Sequence, residues 1–147
     1  MRIVHGHVHD NYLTTNPQKE REQMPDFEEA TLCDAFEKMA TNRQNEVSFE
    51  RAYRSAYLMC LHHRHAELIE ITKNWLIAAA CYCLTSRAMN TVLLDRSRYD
   101  EVCKMFRDVL MFYNSCRPPQ CPKFDAMVDA AWRHAIVGLP RRVLRQR

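Results

Sequence analysis

Glycine is almost missing from this chain: there are two in 147 residues, alongside six prolines. So few residues able to adopt a left-handed backbone nearly exclude tight hairpins and the Gly-rich loops that cradle phosphates, and they favour helix. Long apolar runs are missing too. The longest, Trp75 to Leu84, falls well short of the roughly 18 residues a membrane span requires. Charge is nearly balanced. A formal net of +3 is too small to imply a polyanionic partner. The opening Met1-Arg2-Ile3-Val4-His5 lacks the apolar core of a secretory leader. The expected location is therefore intracellular, cytoplasmic and/or nuclear. The seven cysteines, at 33, 60, 81, 83, 103, 116 and 121, make an odd count and read as reduced, small core hydrophobes.

What is present is helical periodicity. A chain of 147 residues makes one domain that buries about 68–70% of its unfolded surface, so it needs neither metal nor disulfide to fold. Residues 1–25 carry no helical period and are expected to be a solvated, mobile arm. A first helix is expected from Asp26, where Asp26 and Glu29 resemble a capping box behind Pro25. Phe27, Ala30, Thr31, Cys33 or Asp34, Phe36 and Met39 recur along it to about Ala40. From Ala66 to about Leu94 runs a long apolar period, with Leu68, Ile71, Trp75, Leu76, Ala79, Cys83, Met89 and Val92 inward and a break near Thr85-Ser86. A clean stripe over 98–116 holds Tyr99, Val102, Cys103, Phe106, Val109, Leu110 and Tyr113. Met105 and Phe112 lie together on another flank of it. Pro118, Pro119 and Pro122 end that helix. A last helix over about 124–137 turns Phe124, Met127, Val128, Ala131, Ala135 and Ile136 inward, with Gly138 placed as its cap and Pro140 barring continuation. The fold class is all-α: five or six helices around one core, with no strand signal.

Residues 47–65 organise the rest. Ser48 is placed to cap a helix start. Phe49, Ala52, Ala56, Met59 and Cys60 fall in one core-facing arc, and Tyr53, Tyr57 and Leu61 extend it sideways with Glu50 and Arg54 interleaved. The apolar and aromatic arc covers about 200°, against the ~100° of a helix with one buried side. Another helix of the same domain or a partner protein must cover the surplus. Tyrosine, apolar in body and polar at its tip, suits an interface.

Candidate chemistry is sparse. His5-Gly6-His7-Val8-His9 alternates as zinc-gripping histidines do, but a catalytic metal centre needs further ligands on a rigid scaffold. His62, His63 and His65 point in different directions on a helix and read as helix-end residues. Cys81 and Cys83, two apart, diverge; Cys116 and Cys121 flank the proline turn as at best half a zinc site. Arg141, Arg142, Arg145 and Arg147 make a basic tail with no interleaved aromatics, so nucleic acid is not the expected partner. No nucleophile, base and orienting residue occur together, and no nucleotide loop. No catalytic residue, metal or cofactor is expected.

Two segments carry a family resemblance. Ser48-Phe49-Glu50-x-x-Tyr53-Arg54-x-Ala56-Tyr57-x-Met59-x-Leu61-His62 resembles the second helix of the cullin N-terminal domain, closest to the branch whose substrate receptors are BTB proteins. Arg107-Asp108-Val109-Leu110-Met111-Phe112 resembles the R-D-I-L-M-Y of that family's fifth helix, at about the family's separation. Met1-Arg2-Ile3 resembles the start of the family's N-terminal arm, and Trp132-Arg133 with Ile136-Val137 the opening of its next repeat, with His134 in place of Asp. The resemblance implies a five-helix cullin repeat over 26–117, followed at 118–147 by the opening helix of a second repeat and the basic tail. It further implies a non-catalytic scaffold that binds a BTB-type receptor for ubiquitin-dependent degradation through Val47, Ser48, Phe49, Glu50, Tyr53, Arg54 and Tyr57, with Met105 and Phe112 contributing from the fifth helix. Nothing corresponds to the family's C-terminal half, so no RING protein is expected as a partner, and the reading is of a truncated, cullin-like chain. Ala52 stands where the family has Leu, Arg51 where it has Glu, and Arg117 near a family aromatic. A helical interaction protein unrelated to ubiquitin, and a histidine-metal enzyme, are the alternatives.

Overall fold

The computed structural model describes residues 26–86, 91–92 and 96–139, of which 85, 86, 91 and 92 are described by their backbone. In chain order the elements are α1 (Phe27–Ala40), a 3-10 turn (Gln44–Glu46), α2 (Phe49–Leu61), α3 (His65–Leu84), β1 (Thr85–Ser86), β2 (Thr91–Val92), α4 (Ser97–Val109), α5 (Met111–Cys116) and α6 (Phe124–Val137). The class is all-α, as expected. The N-terminal arm with His5, His7 and His9, the residues Met89 and Leu94, and the arginines of the tail lie outside the described residues.

Helix starts follow local chemistry. Asp26 caps α1, its carboxylate accepting the Glu29 N–H at 3.0 Å, while the Glu29 carboxylate turns toward Arg64 at 3.9 Å instead of closing a full capping box. Ser48 caps α2, its Oγ accepting the Arg51 N–H at 3.4 Å. The ends of α1 and α2 share a device. Arg43 N–H reaches Lys38 O at 2.7 Å, and Arg64 N–H reaches Met59 O at 2.8 Å. Each bond closes over a residue in the left-handed region, Asn42 (φ 66) and His63 (φ 59). Those are the marks of a Schellman stop, in which glycine is the usual occupant.

Two expectations need correction. The 98–116 stripe is not one helix: α4 ends at Val109, Leu110 turns (φ −97, ψ 20), and α5 restarts at Met111. No glycine or proline marks the break. Packing explains it, because both Leu110 and Tyr113 stay buried across it while Met111 is left half outside. Of the apolar run past Leu84, the described residues 85–86 and 91–92 are extended and not helical. Thr85 and Ser86 pair antiparallel with Val92 and Thr91 in a two-residue ladder. Threonine and serine compete with helical bonding through their own hydroxyls, and β-branching suits extended backbone, so the expected break falls where it was expected and leads into a strand pair.

One core runs through all six helices. Along α4 and α5 the whole predicted stripe, from Tyr99 to Tyr113, is buried. Phe36 of α1 stacks on Phe106 of α4 with ring centroids 4.2 Å apart. On α3, Leu68, Ile71, Leu76 and Ala79 are buried, with Trp75 and Cys83 half-buried against the same core. In α1 the buried face is Leu32, Ala35, Phe36, Met39 and Ala40; Phe27 and Ala30, placed on the apolar stripe from spacing, lie outside it. α6 packs chiefly on α3. It also locks to α4, where Tyr99 Oη donates to Val128 O at 2.7 Å and the Trp132 ring lies 5.1 Å from that of Tyr99. Arg96 spans the same junction, bonding Asp129 at 2.7 Å and Asp100 at 3.0 Å.

Candidate docking surface

The surplus apolar arc of α2 divides in two. Ala52, Ala56, Met59 and Cys60 are buried, with Ser55 beside them, so this side faces the core. The other side carries Phe49, 46% exposed, and the half-buried Tyr53 and Tyr57. Successive rings are four residues apart, so all lie on adjacent positions of one helical face.

The four aromatic side chains form two pairs. Phe49 and Tyr53 stand nearly parallel, centroids 6.2 Å apart. Tyr57 meets Phe112 of α5 edge to face at 4.7 Å, a geometry in which the positive ring edge meets the negative face. The first of the two explanations, cover by a helix of the same domain, holds for one end of the arc. That helix covers Tyr57 in part, while among the described residues the ridge toward Phe49 is left open. Leu61, 51% exposed, extends α2's outer side, and Met111, 52% exposed, sits beside Phe112. Sequence reading placed Leu61 on the arc without assigning it to the site, and missed Met111.

The rim is charged. Glu50 and Arg54 form an ion pair at 2.8 Å with side chains about 70% exposed. Such an exposed pair contributes little to folding, which leaves both groups available to a partner. Val47 is half-buried against the core, and Ser48 is committed to its capping bond. Met105, expected on the same face, lies on α4 before the Leu110 break, half-buried against the core; the two ring pairs leave it out. On the far side of the α2 start, Phe27, 65% exposed, opens a shallow groove with Ala30, Thr31, Val47, Ser48 and Arg51. No sequence signal pointed to that groove, since Phe27 read as core.

The histidines do not converge. His62 caps α2, its N–H directed to Leu58 O at 3.0 Å, and His63 bonds Cys60 O at 3.1 Å. His65 opens α3 with its ring 6.3 Å from Tyr113. Among the described residues no three His, Cys, Asp or Glu side chains are grouped to hold a metal ion, and no helix is long and apolar enough to cross a membrane. The ridge combines exposed and half-buried aromatic rings with a charged rim, a composition enriched at protein–protein interfaces. Comparison of the chain with protein families, with curated proteins and with solved structures yields no match.

Proposed function

We propose that this chain is a non-catalytic helical scaffold that docks a BTB-type substrate receptor on the outer face of α2 and the adjoining face of α5, in the service of ubiquitin-dependent protein degradation. One observation carries the reading: Phe49, Tyr53 and Tyr57 remain at the surface of a helix whose other side is fully committed to the core, next to Phe112 of α5. Those residues lie within the cullin-like segments 48–62 and 107–112, with Phe112 standing where that family has Tyr. Aromatic anchors ringed by charge are what concentrated interface energy requires. An intracellular location accompanies the proposal.

Titration of the full chain against a panel of BTB-domain proteins tests it. Binding to at least one member is expected, and Phe49→Ala, Tyr57→Ala and Glu50→Ala should each weaken it, the aromatic changes by tenfold or more, about 1.4 kcal/mol or above. Equal binding by the parent chain and all three variants would reject the face. Failure to bind any BTB protein, with capture of another partner through the same residues, would instead favour an interaction protein unrelated to ubiquitin.

A further inference from the structure

Cys116 is the last residue of α5, and Cys121 follows after Arg117-Pro118-Pro119-Gln120. That connection is folded back on the helix it leaves. Tyr113 Oη donates to Pro122 O at 2.6 Å, and Phe124 N–H to Asn114 Oδ1 at 3.3 Å. Within the connection, Cys121 N–H bonds Pro118 O at 3.0 Å and Arg117 Nη1 bonds Cys121 O at 2.9 Å. Together the bonds pin residues 121–124 against residues 113–117. Cys121, next in chain to the pinned Pro122, is thus returned to the helix end that carries Cys116.

A third sulfur lies under this corner. Cys60, in the last turn of α2, is buried. Burial pushes its thiol up to about 11, and the nearness of Cys116 and Cys121 adds to the effect. Access separates the three: Cys116 is exposed, Cys121 half-buried and Cys60 buried. The other cysteines are placed differently. Cys103 is buried, its thiol pushed up to about 12 by burial, and burial likewise raises those of Cys33 and Cys83. Cys81 is exposed, but its neighbour Cys83 is two residues along the same helix, where side chains point apart.

We propose that Cys116 and Cys121 are a reversible modification site that closes into a disulfide across the Pro118-Pro119 turn when hydrogen peroxide oxidises Cys116. The chemistry balances. The Cys116 thiolate attacks one peroxide oxygen, the O–O bond breaks, and the departing hydroxide takes a proton and leaves as water, so that sulfur becomes a sulfenic acid. The Cys121 thiolate then attacks that sulfur, the S–O bond breaks, and a second hydroxide leaves as water on taking a proton. Two thiols have lost two electrons in all, and one peroxide has become two waters. A dithiol reductant reverses the bond by exchange through a mixed disulfide. The outer position of Cys116 makes it the attacking group, and the fixed fold of the connection makes Cys121 the resolving one. This site uses no residue of the aromatic ridge.

The full chain, reduced and freed of reductant, is titrated with hydrogen peroxide while free thiols are counted and the peptides mapped. The count should fall by two from seven. The peptide spanning 116 and 121 should lose two hydrogens, and dithiothreitol should restore it. Cys116→Ser and Cys121→Ser should each abolish the loss, and Cys121→Ser should in addition accumulate a dimedone-reactive sulfenic acid at Cys116. Cys60→Ser should leave the bond intact; melting followed by circular dichroism establishes that each variant is folded. A thiol count that stays at seven, a bond that survives either loop substitution, or a link containing Cys60 would each overturn the assignment.

Discussion

Arg64 and Asp26 form a half-buried ion pair that joins the N-cap of α1 to the turn between α2 and α3, 38 residues away in sequence. The same guanidinium bonds Glu67 at 2.6 Å. One side chain therefore fixes the relative position of three helices at one end of the bundle. Burial works to raise the Asp26 carboxyl, but the Glu29 N–H and the Arg64 guanidinium outweigh it and hold it below its ordinary value of 3.8.

A depressed carboxyl pKa has a definite sign. Its contribution to stability is present above the unfolded value, near 3.8, and is lost as pH falls through the lower folded value. Asp26→Asn should therefore unfold at lower denaturant than the parent chain at pH 7, and the gap should close as pH drops below that value. Arg64→Ala should cost on the order of 1–3 kcal/mol at pH 7, since it strands a half-buried carboxylate. Guanidinium unfolding at a series of pH values measures both.

His63 occupies a left-handed position (φ 59) at the end of α2. A side chain there carries a steric cost that glycine escapes. His63→Gly should raise stability by roughly 0.5–1 kcal/mol, read as an increase in Tm of a few degrees. A fall in Tm would mean that the imidazole makes a stabilising contact that outweighs the strain.

Thr72 is buried in α3 with its Oγ1 lacking any hydrogen-bond partner. Thr72→Val keeps the shape and removes the stranded hydroxyl, so a gain of about 1 kcal/mol is expected in the same unfolding measurement.

The Tyr57–Phe112 pair makes a double-substitution cycle informative. Their edge-to-face contact at 4.7 Å should appear as a coupling of about 0.5–1.5 kcal/mol between Tyr57→Ala and Phe112→Ala in stability. Phe49→Ala, at the open end of the ridge, should leave stability within about 0.5 kcal/mol of the parent chain. Zero coupling would remove α5 as the partial cover of α2.

Much of this architecture could be read from residue order because its signals are local. Ser48 and Asp26 announce helix starts, Pro118 and Pro119 a stop, and the 3.6-residue period from Tyr99 to Tyr113 names the core stripe. The features that escaped reading are tertiary. The turn at Leu110 has no local marker and arises from keeping both Leu110 and Tyr113 inside. Phe27 looks apolar and in phase, yet at the first position of its helix it is left 65% exposed among the described residues. For the candidate surface, periodicity showed that α2 had too much apolar width. It could not show that Phe112 covers the Tyr57 end while the Phe49 end stays open. That division depends on where a second helix lies, and spacing within one helix holds no information about it.

The last helix sets the smallest unit of this chain that can hold its shape. Cutting the chain after Arg117 would strip the roof from Tyr99, whose hydroxyl would lose its acceptor at Val128, and uncover the side of α3 against which α6 packs. Whatever larger protein or repeat the segment 124–137 is reckoned to begin, any fragment prepared for crystallisation or binding work should carry it.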